Sequence, residues 1–164
     1  MSSLRLRHSA RAIVLDEDDR ILLCRFTPPQ PAGTVVWAAP GGGVERGESA
    51  LAALRRELLE EVDLVIGADP PHVWRQRVVA ADHAPGYDGV VNDYFVVRTQ
   101  RFRPRGTLSD VELADENISR FRWWSPQEIA AYGGPDLFSP RDLATPLVAL
   151  IDHGVPAHVV ELGL

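Results

Sequence analysis

No lysine occurs among the 164 residues; all 17 basic side chains are arginines. A catalytic Schiff base and a Walker-type phosphate loop both need a lysine amine, so both chemistries are excluded. Cysteine is nearly as scarce. The lone Cys24 has no partner for an internal bridge, and beside Ile21, Leu22 and Leu23 it reads as a buried, inert thiol rather than a nucleophile. A chain of this length buries roughly 70% of its unfolded surface and holds together without disulfides. Long apolar runs are missing too. The segment Met1–Arg11 has three arginines but no apolar stretch suited to a signal peptide. Nothing later reaches the ~18 apolar residues of a membrane span. A reducing, cytoplasmic setting with no membrane partner is the expectation. Basic surplus is lacking as well: 17 arginines against 23 acidic residues give a formal charge of −6, with no basic stripe. Duplex nucleic acid is therefore not an expected partner. An anionic substrate fits only if a metal or local arginines supply positive charge. Abundant alanine and arginine without lysine suggest a GC-rich bacterial genome.

What is present reads as one mixed, strand-rich α/β domain over residues 1–164, with no repeat or linker to divide it. Ser9–Leu15 and Arg20–Phe26 form two strands around the turn Asp16–Asp19, and the proline-rich run Thr27–Thr34 is a surface loop. Val35–Trp37 leads into Ala39-Pro40-Gly41-Gly42-Gly43. Leu51, Leu54, Leu58 and Val62 recur at three and four, predicting an amphipathic helix over Ser49–Val62. Strands return at Val73–Ala81, Val90–Thr99 and Phe121–Trp124, with a loop around Pro85-Gly86. Ser125-Pro126-Gln127-Glu128 predicts a capped helix start, Ser139-Pro140 repeats that start signal, and Gly154 marks a helix end.

The informative stretch is Gly42–Leu64. Glu57, Glu60 and Glu61 share one helix face, about a third of a turn from the leucine face, so they belong beside the core rather than at the solvent pole. Like charges at these spacings repel by ~0.2–0.5 kcal/mol per pair, and a hard divalent cation turns that repulsion into ligation. A glycine-rich loop precedes the helix, Glu48 stands at its entrance, and Arg56 adjoins the cluster. The competing reading is a solvated acidic face.

The run Gly42-x5-Glu48-x7-Arg56-Glu57-Leu58-x-Glu60-Glu61-x-Asp63-Leu64 resembles the Nudix box, a highly specific loop–helix–loop signature, at every fixed position but one. Trp37 and Pro40 before it, and Phe121-Arg122-Trp123-Trp124-Ser125 after it, are similar to the family's approach strand and late strand. The departure is Asp63, where the family has glycine. That position follows the helix and calls for a left-handed backbone, and a negative charge there opposes the helix dipole.

The resemblance implies an α/β/α sandwich with a mixed β-sheet, the box helix packed on the sheet. It implies an Mg2+ cofactor, with Mn2+ able to substitute, and hydrolysis of a diphosphate linkage in a nucleoside diphosphate joined to another group. Metal ligands would be Glu57, Glu60 and Glu61 with the Gly41 carbonyl. Arg56 would orient the glutamates, and Glu48 would brace the loop–helix junction or reach metal through water. The general base would be Glu57 first and Glu116 second; Asp110, Glu112 and Asp115 share the loop assigned to Glu116. Trp37, Trp74 and Phe95 are candidates to stack on a base, and Arg75 and Arg77 to bind phosphate, against core and solvated-strand alternatives. His8, His72, His83, His153 and His158 show no metal-ligand spacing.

Subgroup marks do not choose the substrate. Ala80 lies near the place where ADP-ribose hydrolases carry proline, and neither the tyrosine of dinucleoside polyphosphate hydrolases nor the coenzyme A signature is evident. A nucleoside triphosphate and a nucleotide sugar both stay open. Two rivals remain: a nucleotide-binding sensor of the same fold without turnover, and a structural domain with an accidental acidic helix. The intact box glutamates favour catalysis over the sensor. Homodimerisation, common in the family, is not compelled by any exposed apolar stripe.

Overall fold

The computed structural model describes residues 3–28, 33–80 and 84–164. Half of the proline-rich loop, residues 29–32, together with Ala81 and His83, lies outside them. The strands are β1 (Leu6–Leu15), β2 (Ile21–Phe26), β3 (Val36–Ala38), β4 (Gly41–Gly43), β5 (His72–Val78), β6 (Gly89–Arg98), β7 (Ile118–Trp124), β8 (Leu137–Ser139) and β9 (Val160–Leu162). The helices are α1 (Ala50–Val62), α2 (Asp110–Asp115), α3 (Pro126–Ala131) and α4 (Ala144–His153). The expected mixed α/β architecture is present. Among the described residues, no helix is long and apolar enough to cross a membrane.

One sheet runs β8-β3-β2-β1-β6-β5-β9, with β4 added to β1 and β7 to β2. The pairs β1–β6, β3–β8 and β5–β9 are parallel and the others antiparallel. β1 is apolar on both faces over its second half. Ile13 and Leu15 pack with Val73, Trp74 and Leu147 on one side, and Ala10, Ala12 and Val14 pack with Leu54, Leu58 and Val62 of α1 on the other.

A local departure from regular pairing makes room for the site. β1 and β2 pair at a single position, Leu15 with Ile21. Beyond it they diverge, β1 toward β4 and β2 toward β3 and β7. The fork between them is open. Gly41, at φ +143°, can lie against β1 only because it lacks a Cβ, which would sit 2.1 Å from the Ala10 carbonyl oxygen.

α1 follows its sequence closely. Ser49 accepts the Ala52 amide at 3.1 Å, and Leu54, Leu58 and Val62 are fully buried. At the far end Asp63 adopts φ +58°, ψ +39°, the left-handed conformation that the box position predicts, and its amide donates to the Leu58 carbonyl. Two further amides come from the segment after β6: Gly106 donates to the Glu61 carbonyl at 3.1 Å, and Leu108 to the Glu60 carbonyl at 3.0 Å. This segment brushes the helix so closely that a Cβ on Gly106 would lie 2.2 Å from the Glu60 carbonyl oxygen. The last turn of α1 is thus held from outside.

Aspartate at position 63 carries both a left-handed backbone and an unfavourable charge at a helix C-terminus with no basic residue in its last turn. Asp63→Asn removes the charge and keeps a side chain that tolerates this conformation. The variant is expected to be more stable by about 0.5–1 kcal/mol in urea unfolding. An unchanged or lowered midpoint would show that Asp63 has a compensating contact.

Three expectations are corrected. The acidic segment read as a loop contains α2, capped reciprocally by Ser109 and Glu112, and Glu116 is its C-terminal cap. Ser139-Pro140 does not start a helix: Ser139 ends β8, where it pairs with Ala38, and α4 begins at Ala144. The glycine run is itself a strand, β4, because β1 supplies its pairing. The remaining signals agree: Ser125 and Glu128 cap α3 with Pro126 at its start, and Gly154 ends α4.

Candidate active site

The fork between β1 and β2 opens into a cavity of about 330 Å3. α1 contributes Glu57 and Glu61, the α2–β7 junction Glu116, Asn117 and Ile118, β4 its three glycines, β1 Arg7 and Arg11, and β2 Cys24 and Phe26. On β1 the two arginines alternate in step with Ile13 and Leu15, the strand face turned away from α1, so arginines and glutamates reach the fork from opposite sides of the sheet.

The chain brings carboxylate oxygens of Glu57, Glu61 and Glu116 within 4.8 Å of one another. Glu57 is 8% exposed and Glu61 2%. Burial, and then the charge of Glu57, push the Glu61 carboxyl well above its ordinary pKa, with Arg11 opposing. Partial burial followed by Glu57 and Glu60 raises Glu116, and burial followed by Glu57 raises Glu60. Close packing of carboxyls disfavours their charged forms unless a cation compensates. The donors are all hard oxygens, with the amide of Gly41 pointing at Glu61 Oε2 at 3.4 Å. Such a set fits a hard divalent cation and suits a thiophilic metal poorly. Cys24 is no ligand: burial pushes its thiol up to about 12, and its Sγ donates to the Ala38 carbonyl at 3.2 Å.

Arg56 organises the entrance. Its Nε and Nη2 grip Glu48 at 2.9 and 3.0 Å, Nη1 reaches Glu57 Oε1 at 2.9 Å, and Nη2 also donates to the Gly43 carbonyl at 3.1 Å. Helix, glycine strand and junction are tied by one guanidinium. The fork contact with Arg56, joined by the Glu45 amide, draws Glu48 down to about 2. Glu60 stands farther out, 3.7 Å from Arg56 Nη1 and outside the tight trio of carboxylates.

The other sequence-derived candidates sit elsewhere. Trp37 and Trp74 are buried in the core layer beneath α4, with the Trp37 indole donating to Asp136. Phe95 packs in the α1 core layer and stacks on His72. Arg75 pairs with Asp93 at 2.9 Å, and Arg77 is exposed on the same strand. None of the five lines the cavity. Arg7, Arg11, Phe26 and Asn117, which do, were missed. Their only sequence signal was the alternation of two arginines on a strand.

The NUDIX domain family model matches residues 5–142. The chain belongs to the Nudix family. It is a pyrophosphohydrolase in class, and its mixed sheet with flanking helices is the family's fold. Among curated relatives, a nucleoside triphosphatase NudI of Salmonella newport is 28% identical over 73% of this chain and 82% of its own. Among solved structures, the Escherichia coli ORF135 protein aligns with a TM-score of 0.64 at 22% identity, covering 96% of this chain and 99% of that one. A MutT protein of Methanosarcina mazei gives a TM-score of 0.64 at 19% identity, covering 90% and 96%. These two show likeness of fold.

Proposed function

We propose that this Nudix enzyme hydrolyses a diphosphate linkage in a small nucleotide, with a nucleoside triphosphate as the favoured substrate class and Mg2+ or Mn2+ as cofactor. The observation that carries the reading is the Glu57–Glu61–Glu116 trio, its first two members buried and the third exposed at the cavity mouth, facing two arginines across one cavity. An acidic cluster repels a polyanion unless cations lie between them. The relative named as a nucleoside triphosphatase supports the substrate class.

Glu57 and Glu61 would hold the metal, with Glu60 at the rim, the Gly41 backbone beside them and the Glu116 carboxylate within reach. When bound, a divalent cation neutralises diphosphate charge, acidifies water and steadies the leaving phosphate. The protein's own side chains do the rest. Arg56 fixes the Glu57 carboxylate through one oxygen. Glu116, whose carboxylate has no hydrogen bond among the described residues, is the better placed of the two candidate proton acceptors, since Glu57 is committed to Arg56. Phe26 and Ile118 give a nucleobase an apolar wall, and Asn117 offers it a donor and an acceptor. These take the place expected of Trp37, Trp74 and Phe95.

A panel of nucleoside triphosphates, nucleotide sugars and dinucleotides, assayed with Mg2+ and with product identification, tests the reading. Metal-dependent release of a nucleoside monophosphate or phosphate supports it. Nucleotide binding without turnover of any member would replace it with the sensor reading.

A further inference from the structure

Behind the cavity, a line of polar side chains crosses four neighbouring strands of the sheet. Arg11 Nε on β1 donates to Asn92 Oδ1 on β6 at 3.2 Å. Asn92 Nδ2 donates to Gln76 Oε1 on β5 at 3.1 Å, and the Tyr94 hydroxyl donates to the same oxygen at 3.3 Å. Gln76 Nε2 donates to the carbonyl of Gly163, just past β9, at 2.9 Å. Gln76 is 3% exposed and Asn92 8%.

The polarity of this chain is dictated from both ends. The Gly163 carbonyl can only accept, so Gln76 must present its amide nitrogen there and its oxygen inward. Asn92 must then donate to Gln76 and turn its own oxygen to Arg11, which can only donate. Buried amides that cross a core are stabilising only when fully bonded, and an apolar pair of similar shape would serve the sheet as well. The output of the chain is the orientation of one guanidinium. With Nε on Asn92 and Nη1 on the Ala39 carbonyl at 2.9 Å, the plane of Arg11 is fixed at the cavity wall, and Nη2 has no hydrogen bond among the described residues.

We propose that Arg11 contacts a phosphate oxygen of the substrate, and that Asn92 and Gln76 are positioning residues that aim it. This rests on the nucleotide reading above. The rival role for Arg11 is an internal counter-charge to the buried glutamates, with no substrate contact. The two differ in what they move. A substrate contact made equally in the ground and transition states shows in KM with kcat preserved. A counter-charge shows in metal affinity without nucleotide, because removing a cation beside the carboxylates tightens binding of another.

The test compares wild type, Arg11→Met, Gln76→Leu and the double variant by steady-state kinetics on a hydrolysed nucleotide at saturating Mg2+, and by Mn2+ titration of nucleotide-free protein. A charged hydrogen bond corresponds to a KM increase of about 10- to 100-fold for Arg11→Met. Gln76→Leu, which touches no cavity, is expected to raise KM by roughly 3- to 10-fold, and the double variant should be no worse than Arg11→Met alone. The Mn2+ dissociation constant should stay within about twofold for Gln76→Leu, which keeps the charge of Arg11, so that its KM effect cannot come from the metal. Unchanged KM, multiplying effects, or a change confined to Mn2+ affinity would each overturn the proposal. Should Arg11→Met or Gln76→Leu fail to fold, Arg11→Lys and Asn92→Ser complete the same cycle. If wild type turns over no nucleotide, the hydrolase reading falls by itself. The cycle is then read on the nucleotide dissociation constant, and absence of nucleotide binding overturns both.

Discussion

Glu61→Gln is expected to cripple turnover and, at the same time, to stabilise the metal-free protein. Glu61 is 2% exposed and shares its cavity with Glu57 and Glu116. Gln is nearly the same shape, its oxygen can accept the Gly41 amide as Glu61 Oε2 does, and its nitrogen can donate to Glu57. What is lost is one negative charge, and with it a ligand for the cation. We expect kcat/KM to fall on the order of 10³-fold, about 4 kcal/mol of transition-state stabilisation, and Mn2+ binding to weaken strongly. Without metal the same change relieves burial and repulsion, raising stability by roughly 1–2 kcal/mol at neutral pH. The pH dependence has a definite sign. In the unfolded chain Glu61 ionises at its ordinary pKa, whereas in the fold burial and Glu57 keep the proton on to higher pH. Above the folded pKa the fold carries the full cost of the anion, and that cost is gone below the ordinary carboxylate range. Melting in chelator should therefore show the variant well above wild type near pH 7.5, the gap closing on acidification. Saturating Mn2+ should reverse the order, since only wild type gains from binding. A variant that melts lower than wild type in chelator would mean that the trio is not a strained acidic cluster.

The contrast between α1 and the rest of the cavity shows what a sequence can disclose. The α1 signals are local: a leucine period, a serine cap and a left-handed exit, each settled within a few residues. The glutamates fell beside the core because helix geometry alone put them there. Glu116 is different, because its approach to Glu57 and Glu61 depends on the Gly106–Leu108 amides that hold the preceding segment against the end of α1. α2 did carry a signal, Ser109 with Glu112 three residues on, but six residues give too little periodicity to announce a helix. Strands of three residues, β3, β4, β8 and β9, owe their existence to neighbours rather than to propensity. Arg7 and Arg11 belong to the cavity because β1 and β2 part after one pair, and no alternation of residues encodes that parting. Trp37, Trp74 and Phe95 were attractive as stacking groups for the reason they pack so well in the core: large apolar area on a strand.

Gly42→Ala is expected to separate catalysis from folding more sharply than any change to a charged residue. Gly42 is not held at a positive φ, so its backbone accepts alanine. Its Cβ position, however, lies 2.5 Å from Glu57 Oε1 and 2.6 Å from Cδ of the same carboxylate. The methyl group and the carboxylate cannot both stay. Backbone of β4 is paired to β1, so the side chain must give way, and it moves off Arg56 Nη1 and out of register with Glu61 and Glu116. A displacement of about 1 Å at a catalytic group commonly costs on the order of 10²-fold in rate. Because only the end of one flexible side chain shifts, stability should change by no more than about 1 kcal/mol. Steady-state kinetics with a chelator-controlled melting curve on the same preparation would check both halves. Activity within about threefold of wild type would show that Glu57 does not need the position it occupies against the glycine strand, and would move the centre of the chemistry toward Glu61 and Glu116.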